Sequence, residues 1–360
     1  MKHLFIKRLS ILPIAIIVAL SSCRKSNNDD VIPEPSDPIV SGIYILNQGN
    51  FSASNSTLSF YNYDTKKLTE DLFSEVNKKP LGATANDIQK YGSKIYVVVN
   101  VSSKIEVIDA KTAKGLKTID MKDGATARQP RYVVFNNGKG YVSSYDGTVG
   151  IIDTTSLTIT KFINVGRNPE QLAISNGKLY VANSGGLDFG NPDNTVSIID
   201  LATESEKKIT VPVNPVSVAA DEFGDVYVIS NGNYDDVPPS LTIINSQTDV
   251  VKQTGAANVA YGSPIVISGE KGFWLTGDNK VQVTNVKTEA VEKENFVTDG
   301  TTFTAAYSLA FDPISGKIYV GDAKNFAVDG EVYVYSSEGK QIQTIKSGIN
   351  PGRIMLTYKY

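Results

Sequence analysis

Side chains that carry covalent or metal chemistry are scarce in this chain. Its 360 residues include one histidine, His3, and one cysteine, Cys23, both near the N-terminus. The remainder therefore has no imidazole or thiol to act as nucleophile, general base or zinc ligand. Carboxylate pairs such as Asp235-Asp236 stand in polar stretches with no second group at a telling spacing. This composition predicts a binding protein rather than an enzyme, with no cofactor and no metal, although a Ca²⁺ site of loop oxygens stays open.

The single cysteine stands in a sequence that predicts lipidation. Lys2, Lys7 and Arg8 precede an apolar run over residues 9–20, which is too short to span a bilayer and suits a secretory signal. The run ends in the string LSSC, which is like a bacterial lipobox, where small residues allow cleavage and the thiol takes a diacylglycerol. We expect residues 1–22 to be a lipoprotein signal peptide and Cys23 to be the lipidated first residue of the mature protein.

Residues 23–40 are predicted to form a flexible tether between the lipid and the folded body. This stretch has little apolar content and contains Pro33, Pro35 and Pro38. Asp29-Asp30 is similar to acidic signals that send lipoproteins to the outer face of some Gram-negative outer membranes; the alternative is a solvated linker. We expect a lipid-anchored outer-membrane protein that faces the cell exterior, with the choice of leaflet left open.

The charge balance argues against nucleic acid as a partner. Residues 1–22 hold three Lys or Arg and no acid, so 32 basic and 38 acidic residues remain after their removal, a formal charge of −6. No basic stripe is left to neutralise a phosphate backbone.

A short apolar string with a central aromatic residue recurs seven times, at spacings of 52, 45, 39, 47, 47 and 45 residues. Each string is followed by a second one and then by a polar turn, and most are preceded by a strand that opens on proline. A period of this length in β-branched and aromatic sequence is typical of a β-propeller of four-stranded blades. The central aromatics are expected to pack between blades: Tyr44, Tyr96, Tyr141, Tyr180, Tyr227, Trp274 and Tyr319.

The strand count predicts how the ring closes. We name the strands of a blade a to d from the inside outward, with the aromatic string as strand b. The first string has no strand a before it, whereas the segment from Pro351 to Tyr358 is a strand a with no blade after it. The sequence therefore predicts an all-β, seven-bladed β-propeller over residues 41–360, whose first blade is completed by the C-terminal strand, which removes the open edge.

One face of the predicted ring carries the uneven loops. The a–b and c–d turns are short, while the b–c and d–a connections vary in length, and binding usually resides in such loops. Four long b–c loops carry one aromatic each: Phe51, Phe189, Tyr234 and Phe326. Together they predict an apolar collar able to hold a large flat ligand. The alternative is that each ring packs on its own loop.

Other candidate ligand-binding residues are predicted for the same face. The d–a segments add aromatic residues, and two arginines stand two positions before strand-opening prolines, where we expect them near the central funnel. Polar residues just after the aromatic strings are expected to line the opening or, alternatively, to cap strand b. These candidates are Tyr261, Phe303, Tyr307, Arg128, Arg167, Asn47, Asn183, Asn231, Asp278, Asp322, Asn86 and Tyr145.

The lipobox and the recurrent (I/L)YV…(V/I)xII(D/N)…NP pattern carry a family resemblance over residues 20–360. The chain resembles the YncE-like propeller lipoproteins, and among them the BtuG-type, which capture cobalamin and cap a TonB-dependent outer-membrane transporter. The resemblance implies capture of cobalamin or another corrinoid and its transfer to such a transporter; it assigns no binding residue. Aromatic rims with Asn, Asp and Arg also suit a glycan, which is the main alternative. A propeller lactonase or lyase and a protein-interaction scaffold are the others.

Overall fold

The computed structural model describes residues 38–186 and 188–359. The predicted signal peptide, the lipidation site Cys23 and residues 23–37 of the predicted tether lie outside the described residues. Among those described, no helix is long and apolar enough to cross a membrane.

The described chain forms strands and one short helix, numbered here in chain order. The N-terminal half contains β1 (Ile39–Asn47), β2 (Thr57–Asn62), β3 (Lys67–Thr69), α1 (Leu72–Asn77), β4 (Ala85–Tyr91), β5 (Lys94–Val99), β6 (Lys104–Asp109), β7 (Gly115–Asp120), β8 (Lys122–Asp123), β9 (Thr126–Ala127), β10 (Pro130–Asn136), β11 (Lys139–Ser144), β12 (Thr148–Asp153), β13 (Thr158–Asn164), β14 (Pro169–Ser175), β15 (Lys178–Asn183), β16 (Thr195–Asp200) and β17 (Glu206–Thr210). The C-terminal half contains β18 (Pro215–Ala220), β19 (Asp225–Ser230), β20 (Ser240–Asn245), β21 (Val250–Ala256), β22 (Ile265–Ser268), β23 (Lys271–Leu275), β24 (Val281–Asn285), β25 (Ala290–Lys293), β26 (Ala306–Phe311), β27 (Ile318–Asp322), β28 (Asp329–Tyr335), β29 (Gln341–Ile349) and β30 (Pro351–Lys359).

Seven four-stranded antiparallel sheets form the blades of a β-propeller. From the inside outward, blade 1 is β30-β1-β2-β3, blade 2 is β4 to β7, blade 3 is β10 to β13, blade 4 is β14 to β17, blade 5 is β18 to β21, blade 6 is β22 to β25 and blade 7 is β26 to β29. β8 and β9 form a separate small hairpin. The predicted fold, including completion of the first blade by the C-terminal strand, is confirmed.

Each b strand is buried on both faces because a blade packs between two neighbours. In β5, Ile95 and Val97 belong to a core shared with Tyr44 of blade 1, whereas Tyr96 belongs to a core shared with Val133 of blade 3. This explains why the b strings are continuous apolar runs rather than alternating ones. The outermost strands are polar, since solvent covers one side; in β7 all residues but one are exposed.

The repeated aromatic residues pack between blades, as predicted. Tyr180 and Tyr227 are fully buried, and their hydroxyls reach across to the following blade. The Tyr180 hydroxyl donates to Asp249 Oδ1 at 2.6 Å, and the Tyr227 hydroxyl donates to the Val286 carbonyl at 2.7 Å. These two rings therefore supply apolar surface while their hydroxyls are hydrogen-bonded to the next blade.

Tight turns of the predicted kind close the a–b hairpins. Asn137 and Gly138, between β10 and β11, have φ of 46° and 78°, and Asn176 has φ of 47°. Two consecutive positive φ values are what a two-residue hairpin with the right-handed strand twist requires, and Asn-Gly adopts them at low cost. These short turns leave the longer b–c and d–a connections together on the opposite face.

The C-terminal strand is fastened to three blades. β30 pairs along β1 from Ile39↔Lys359 to Asn47↔Pro351. The Ser308 hydroxyl of blade 7 donates to the Pro351 carbonyl at 2.6 Å, and Arg353 Nε lies 3.2 Å from Asp87 Oδ1 of blade 2. Ring closure thus rests on a ladder within blade 1 and on polar contacts to both adjacent blades.

Deletion of residues 351–360 is expected to abolish cooperative unfolding. The change exposes the edge of β1 and leaves the Asp87 carboxylate buried without its cation. Calorimetric melting should show a broad or absent transition. Lys359→Ala, which removes only a surface ion pair with Asp64, is the control and should shift Tm by no more than a few degrees. A truncated protein that melts in one sharp transition near the full-length Tm would contradict this account of closure.

Candidate ligand-binding site

A cavity of about 320 Å³ opens on the face of the b–c and d–a loops. Its lining comes from six of the seven blades, including Gln48 and Arg353 of blade 1, Arg131 of blade 3 and Tyr307 of blade 7. Convergence of so many blades places the cavity on the axis of the ring, at the mouth of the central channel. The face predicted for binding therefore carries a concave site.

An ion pair between blades 3 and 4 forms one wall. Arg131 Nε donates to Glu170 Oε2 at 2.8 Å, and a terminal nitrogen of Arg131 donates to Asn86 Oδ1 at 2.5 Å. The other Glu170 oxygen accepts from the Tyr145 hydroxyl. Burial lowers the pKa of Arg131, but the adjacent Glu170 carboxylate raises it above its usual value overall, so the guanidinium stays charged. Arg131 and Glu170 each follow the proline that opens an inner strand, and equivalent positions of adjacent blades lie side by side.

A second ion pair joins blades 1 and 2 beside the first. Asp87 of β4 is buried and forms the ion pair with Arg353, and its other oxygen accepts from the backbone N–H of Val133 at 3.0 Å. Burial raises the pKa of Asp87, against the opposing effect of the Arg353 cation. Asp87 thus contacts the inner strands of blades 1 and 3 as well as its own, and it holds Arg353 at the cavity.

Three tyrosines complete the inner surface of the cavity. The Tyr132 ring has the Arg131 guanidinium 5.5 Å and the Arg353 guanidinium 5.0 Å from its centroid. The Tyr307 hydroxyl donates to Gln48 Oε1 at 2.7 Å. Burial raises the pKa of Tyr307 to about 12, and burial together with Glu170 raises the pKa of Tyr145 well above its usual value. Both phenols are therefore neutral near pH 7 and act as hydrogen-bond donors, not as bases.

Four of the predicted site residues line this cavity. Phe51 lies at its mouth with 71 % of its surface exposed, and Asn86, Tyr145 and Tyr307 lie further in. Phe326 does not line the cavity but contacts Tyr307, with ring centroids 5.5 Å apart and planes at 88°. These residues belong to blades 1, 2, 3 and 7, so the fold brings five of the candidates to one cavity, and their role in ligand binding stays a prediction.

The predicted single collar of four rings is not formed. Phe189 and Tyr234 contact each other at 5.9 Å, and Tyr234 contacts Tyr261 at 5.0 Å, in a separate exposed cluster on blades 4 and 5 and the following loop. The Tyr234 hydroxyl accepts from Asn231 Nδ2 at 3.1 Å. The rings instead divide into this cluster and a cavity group, because neighbouring loops fold toward each other.

Three further candidates were misplaced. Phe303 is a core residue, buried against Tyr335, because its loop turns inward between blades 6 and 7. Arg128 stacks over the Phe162 ring at 3.9 Å. Arg167 pairs with loop carboxylates and is half exposed. Neither arginine lines the cavity, because the Arg128 side chain is held by Phe162, Asp123 and Asp146 and the Arg167 side chain by Asp188 and Asp193.

The polar residues after the aromatic strings hold strand ends together. Asn47 Nδ2 donates to two hydroxyls of β2 at 2.9 Å each, and Asn183 Nδ2 donates in the same way to two hydroxyls of β16 at 3.0 Å. Asp322 accepts two loop N–H groups at 2.9 Å, and Asp278 accepts from the Thr276 hydroxyl at 2.7 Å. These four side chains cap strands and do not line the cavity, which is the alternative considered for them.

The charged core of the candidate site lies outside the predicted residues. Arg131, Tyr132, Glu170, Asp87 and Arg353 were not among the candidates. Three of them carried a signal: Arg131, Glu170 and Arg353 are charged residues one or two positions after a strand-opening proline, where an inner strand lines the channel. Over residues 38–186 and 188–359, no cluster of three or more Asp or Glu side chains could hold a metal ion.

Glu170→Gln is expected to destabilise the fold by about 2–4 kcal/mol, because the Arg131 cation would remain buried without its counter-charge. The matched control is Glu204→Gln, whose carboxylate forms exposed ion pairs with Lys139 and Lys161 and should cost no more than about 1 kcal/mol. Urea unfolding midpoints of both variants give the comparison. Equally small losses of stability in the two variants would show that the Arg131–Glu170 pair contributes no more to stability than an exposed ion pair.

Solved structures similar to this chain share its fold at low sequence identity. A quinonprotein alcohol dehydrogenase-like protein from Bacteroides thetaiotaomicron is 19% identical with a TM-score of 0.66, covering 89% of this chain and 79% of that one. Hydrazine synthase from Kuenenia stuttgartiensis is 16% identical with a TM-score of 0.60, covering 73% and 86%. The computationally designed Ika8 protein is 13% identical with a TM-score of 0.58, covering 90% and 98%. At these identities the likeness concerns the fold alone.

No curated protein matches this sequence. Residues 41–350, most of the propeller, match the family described as a domain of unknown function, DUF5074. The chain belongs to the DUF5074 family.

Proposed function

We propose that this protein is a surface-exposed outer-membrane lipoprotein that captures cobalamin or a related corrinoid and passes it to a TonB-dependent transporter. The observation that carries the proposal is the cavity on the loop face, where aromatic rings surround a wall of guanidinium, amide and phenol donors. The resemblance of the sequence to BtuG-type lipoproteins adds to it.

The surface suits a corrinoid by its chemistry. A corrin is a broad ring with many carboxamide arms, which hydrogen-bond with Arg, Tyr and Gln side chains. At about 320 Å³ the cavity is at the small end for ligand pockets and cannot enclose such a ring. The ring would therefore lie across the mouth, where Phe51 is exposed, and one arm would enter the cavity.

We infer that the site binds and does not catalyse. Both phenols with partners in the site have raised pKa values, and both carboxylates are held in ion pairs with arginine. A general base needs a free proton-accepting position and a pKa near the working pH. Neither the tyrosines nor the carboxylates offer this, so a lactonase or lyase is the weaker proposal.

A glycan is the alternative ligand, and one observation favours it. The cluster of Phe189, Tyr234 and Tyr261 lies outside the cavity with 62 %, 46 % and 59 % of the side chains exposed. Exposed rings beside Asn and Asp groups can stack on the apolar faces of sugars and bond their hydroxyls. A glycan would use this cluster, whereas a corrinoid would use the cavity.

Purified residues 24–360 are expected to bind cyanocobalamin in a one-to-one complex measured by calorimetry. Phe51→Ala should cost about 1–3 kcal/mol of binding, roughly a five- to hundredfold loss of affinity, while Tm stays unchanged because the ring is exposed. Phe303→Ala is the matched control: it should lower stability by about 3–5 kcal/mol, since that ring is in the core.

The same measurements separate the two ligands. Saturable heat with a glycan, no heat with cyanocobalamin, and loss of glycan binding in Tyr234→Ala would transfer the assignment to the glycan. Unchanged cobalamin affinity in Phe51→Ala would remove this ring from the binding surface.

Cys23→Ala is expected to release the protein from the outer-membrane fraction, because the diacylglycerol anchor would be lost. Fractionation and immunoblotting measure this. In intact cells, added protease should degrade the wild-type protein if it faces outward. Resistance in intact cells together with sensitivity after lysis would place it on the periplasmic side, and membrane association of Cys23→Ala would argue against the anchor.

A further inference from the structure

The carboxylates beside the cavity already have protein donors on all their oxygens. One Glu170 oxygen accepts from Tyr145 and the other from Arg131. Asp87 Oδ1 accepts from Gln89 Nε2 and lies 3.2 Å from Arg353 Nε, and Asp87 Oδ2 accepts from a backbone N–H. Ionised carboxylates are acceptors only, so this wall has little accepting capacity left for a ligand.

Several hydrogen-bond donors at the cavity lining have no partner within the described residues. Arg353 lines the cavity and contacts Asp87 through Nε, and neither of its terminal nitrogens meets an acceptor within the described part of the chain. The Tyr132 hydroxyl also lacks a partner among the described residues. Gln171 Oε1 accepts the backbone N–H of Val218 at 3.4 Å, which fixes the amide so that its NH₂ group is free. The side-chain amide oxygens of Asn100 and Gln129 are acceptors at the lining, and both are neutral.

The position of Arg353 is fixed rather than adaptable. Its guanidinium stacks on Tyr132 and is held on one edge by buried Asp87, so the forked terminal nitrogens are oriented before any ligand arrives. A planar fork of this kind matches two oxygens of a carboxylate or phosphate, and such charge-assisted bonds are stronger than neutral ones. Next to it, a Cβ at Gly352 would lie 2.6 Å from Gln48 Nε2, so the glycine leaves room for another amide donor.

We propose that this cavity is a subsite for an anionic, oxygen-rich group of the ligand, a phosphate ester or a carboxylate, held by Arg353, Tyr132 and Gln171. The inference rests on the proposed function in taking the cavity as the place where a ligand arm enters. A volume of about 320 Å³ accommodates a sugar phosphate but not a corrin ring. In cobalamin, the phosphodiester that joins the nucleotide to the corrin is a group of this class.

Ribose 5-phosphate tests the subsite without any corrinoid. At matched ionic strength it should raise the Tm of the purified protein in a saturable manner, whereas ribose should not, because only the phosphate meets the guanidinium. Equal shifts with the two compounds would overturn the proposal.

Two cavity variants and one control make the assignment specific. Arg353→Lys keeps a cation for Asp87 but removes the fork, and should weaken ribose 5-phosphate roughly tenfold. Tyr132→Phe keeps the stacked ring and should weaken it roughly threefold. Arg167→Lys, an exposed arginine of the same face outside the cavity, should leave the shift unchanged. An undiminished shift in both cavity variants, each compared with its own ligand-free Tm, would also overturn the proposal.

Corrinoids then distinguish failure of the subsite from failure of the proposed function. Arg353→Lys should lower cobalamin affinity roughly tenfold and spare cobinamide, which lacks the phosphodiester. If neither corrinoid binds while ribose 5-phosphate does, the subsite stands and the corrinoid assignment falls. If both corrinoids bind and Arg353→Lys affects them alike, the corrinoid assignment stands and the subsite falls.

Discussion

Every blade of this protein has two apolar faces, and neither can be left to solvent. Alternate residues of one strand, such as Ile95 and Tyr96, enter two different cores, each shared with a different neighbouring blade. An open row of blades would expose one apolar face at each end, and only a closed ring removes both. The pairing of β30 with β1 supplies that closure. The hydrophobic effect therefore dictates the ring, and the ring dictates that inner strands converge on one channel.

Convergence brings polar side chains from different blades into contact at the channel mouth. Arg131 of blade 3 meets Glu170 of blade 4, and Arg353 of blade 1 meets Asp87 of blade 2. Unpaired, any of these charges would be costly at its degree of burial, and removing one partner of such a pair destabilises more than the pair itself stabilises. The same contacts hold Arg353 and Tyr132 in place at the cavity. The ion pairs that stabilise the channel mouth thus also hold the side chains of the candidate site in fixed positions.

The fold could be predicted from the sequence because each blade repeats the same pattern of strands along the chain. Recurring strings such as those around Tyr96 and Tyr180 mark one strand in each blade and so give the number of blades. The segment after Pro351, which has no blade after it, indicates how the ring closes. The residues that meet at the cavity could be placed only in part, because they are far apart in the chain. Phe51 and Tyr145 could be placed on a face from loop length and strand order, but the contact of Phe189 with Tyr234 depends on how two loops fold toward each other. The prolines that open the inner strands predicted where those strands begin, and the charged residues directly after them also indicated the channel wall.

Residues of the loop face differ in how much they contribute to the stability of the fold, and the difference follows from where each residue lies. Phe51 and Tyr234 stand on b–c loops outside every core, so their replacement changes the surface of the candidate site at little cost to the fold. Arg353 and Asp87 lie on inner strands and join blades, so their replacement perturbs closure and the site together. The loop surface can therefore vary independently of the fold, while the cavity remains tied to the requirement for a closed ring. A ligand that occupies that cavity contacts both ends of the ring, through Gln48 of the first blade's loop and Gly352 of the closing strand. Its binding would stabilise the closed ring, since any ligand selective for the folded state adds to the free energy of unfolding.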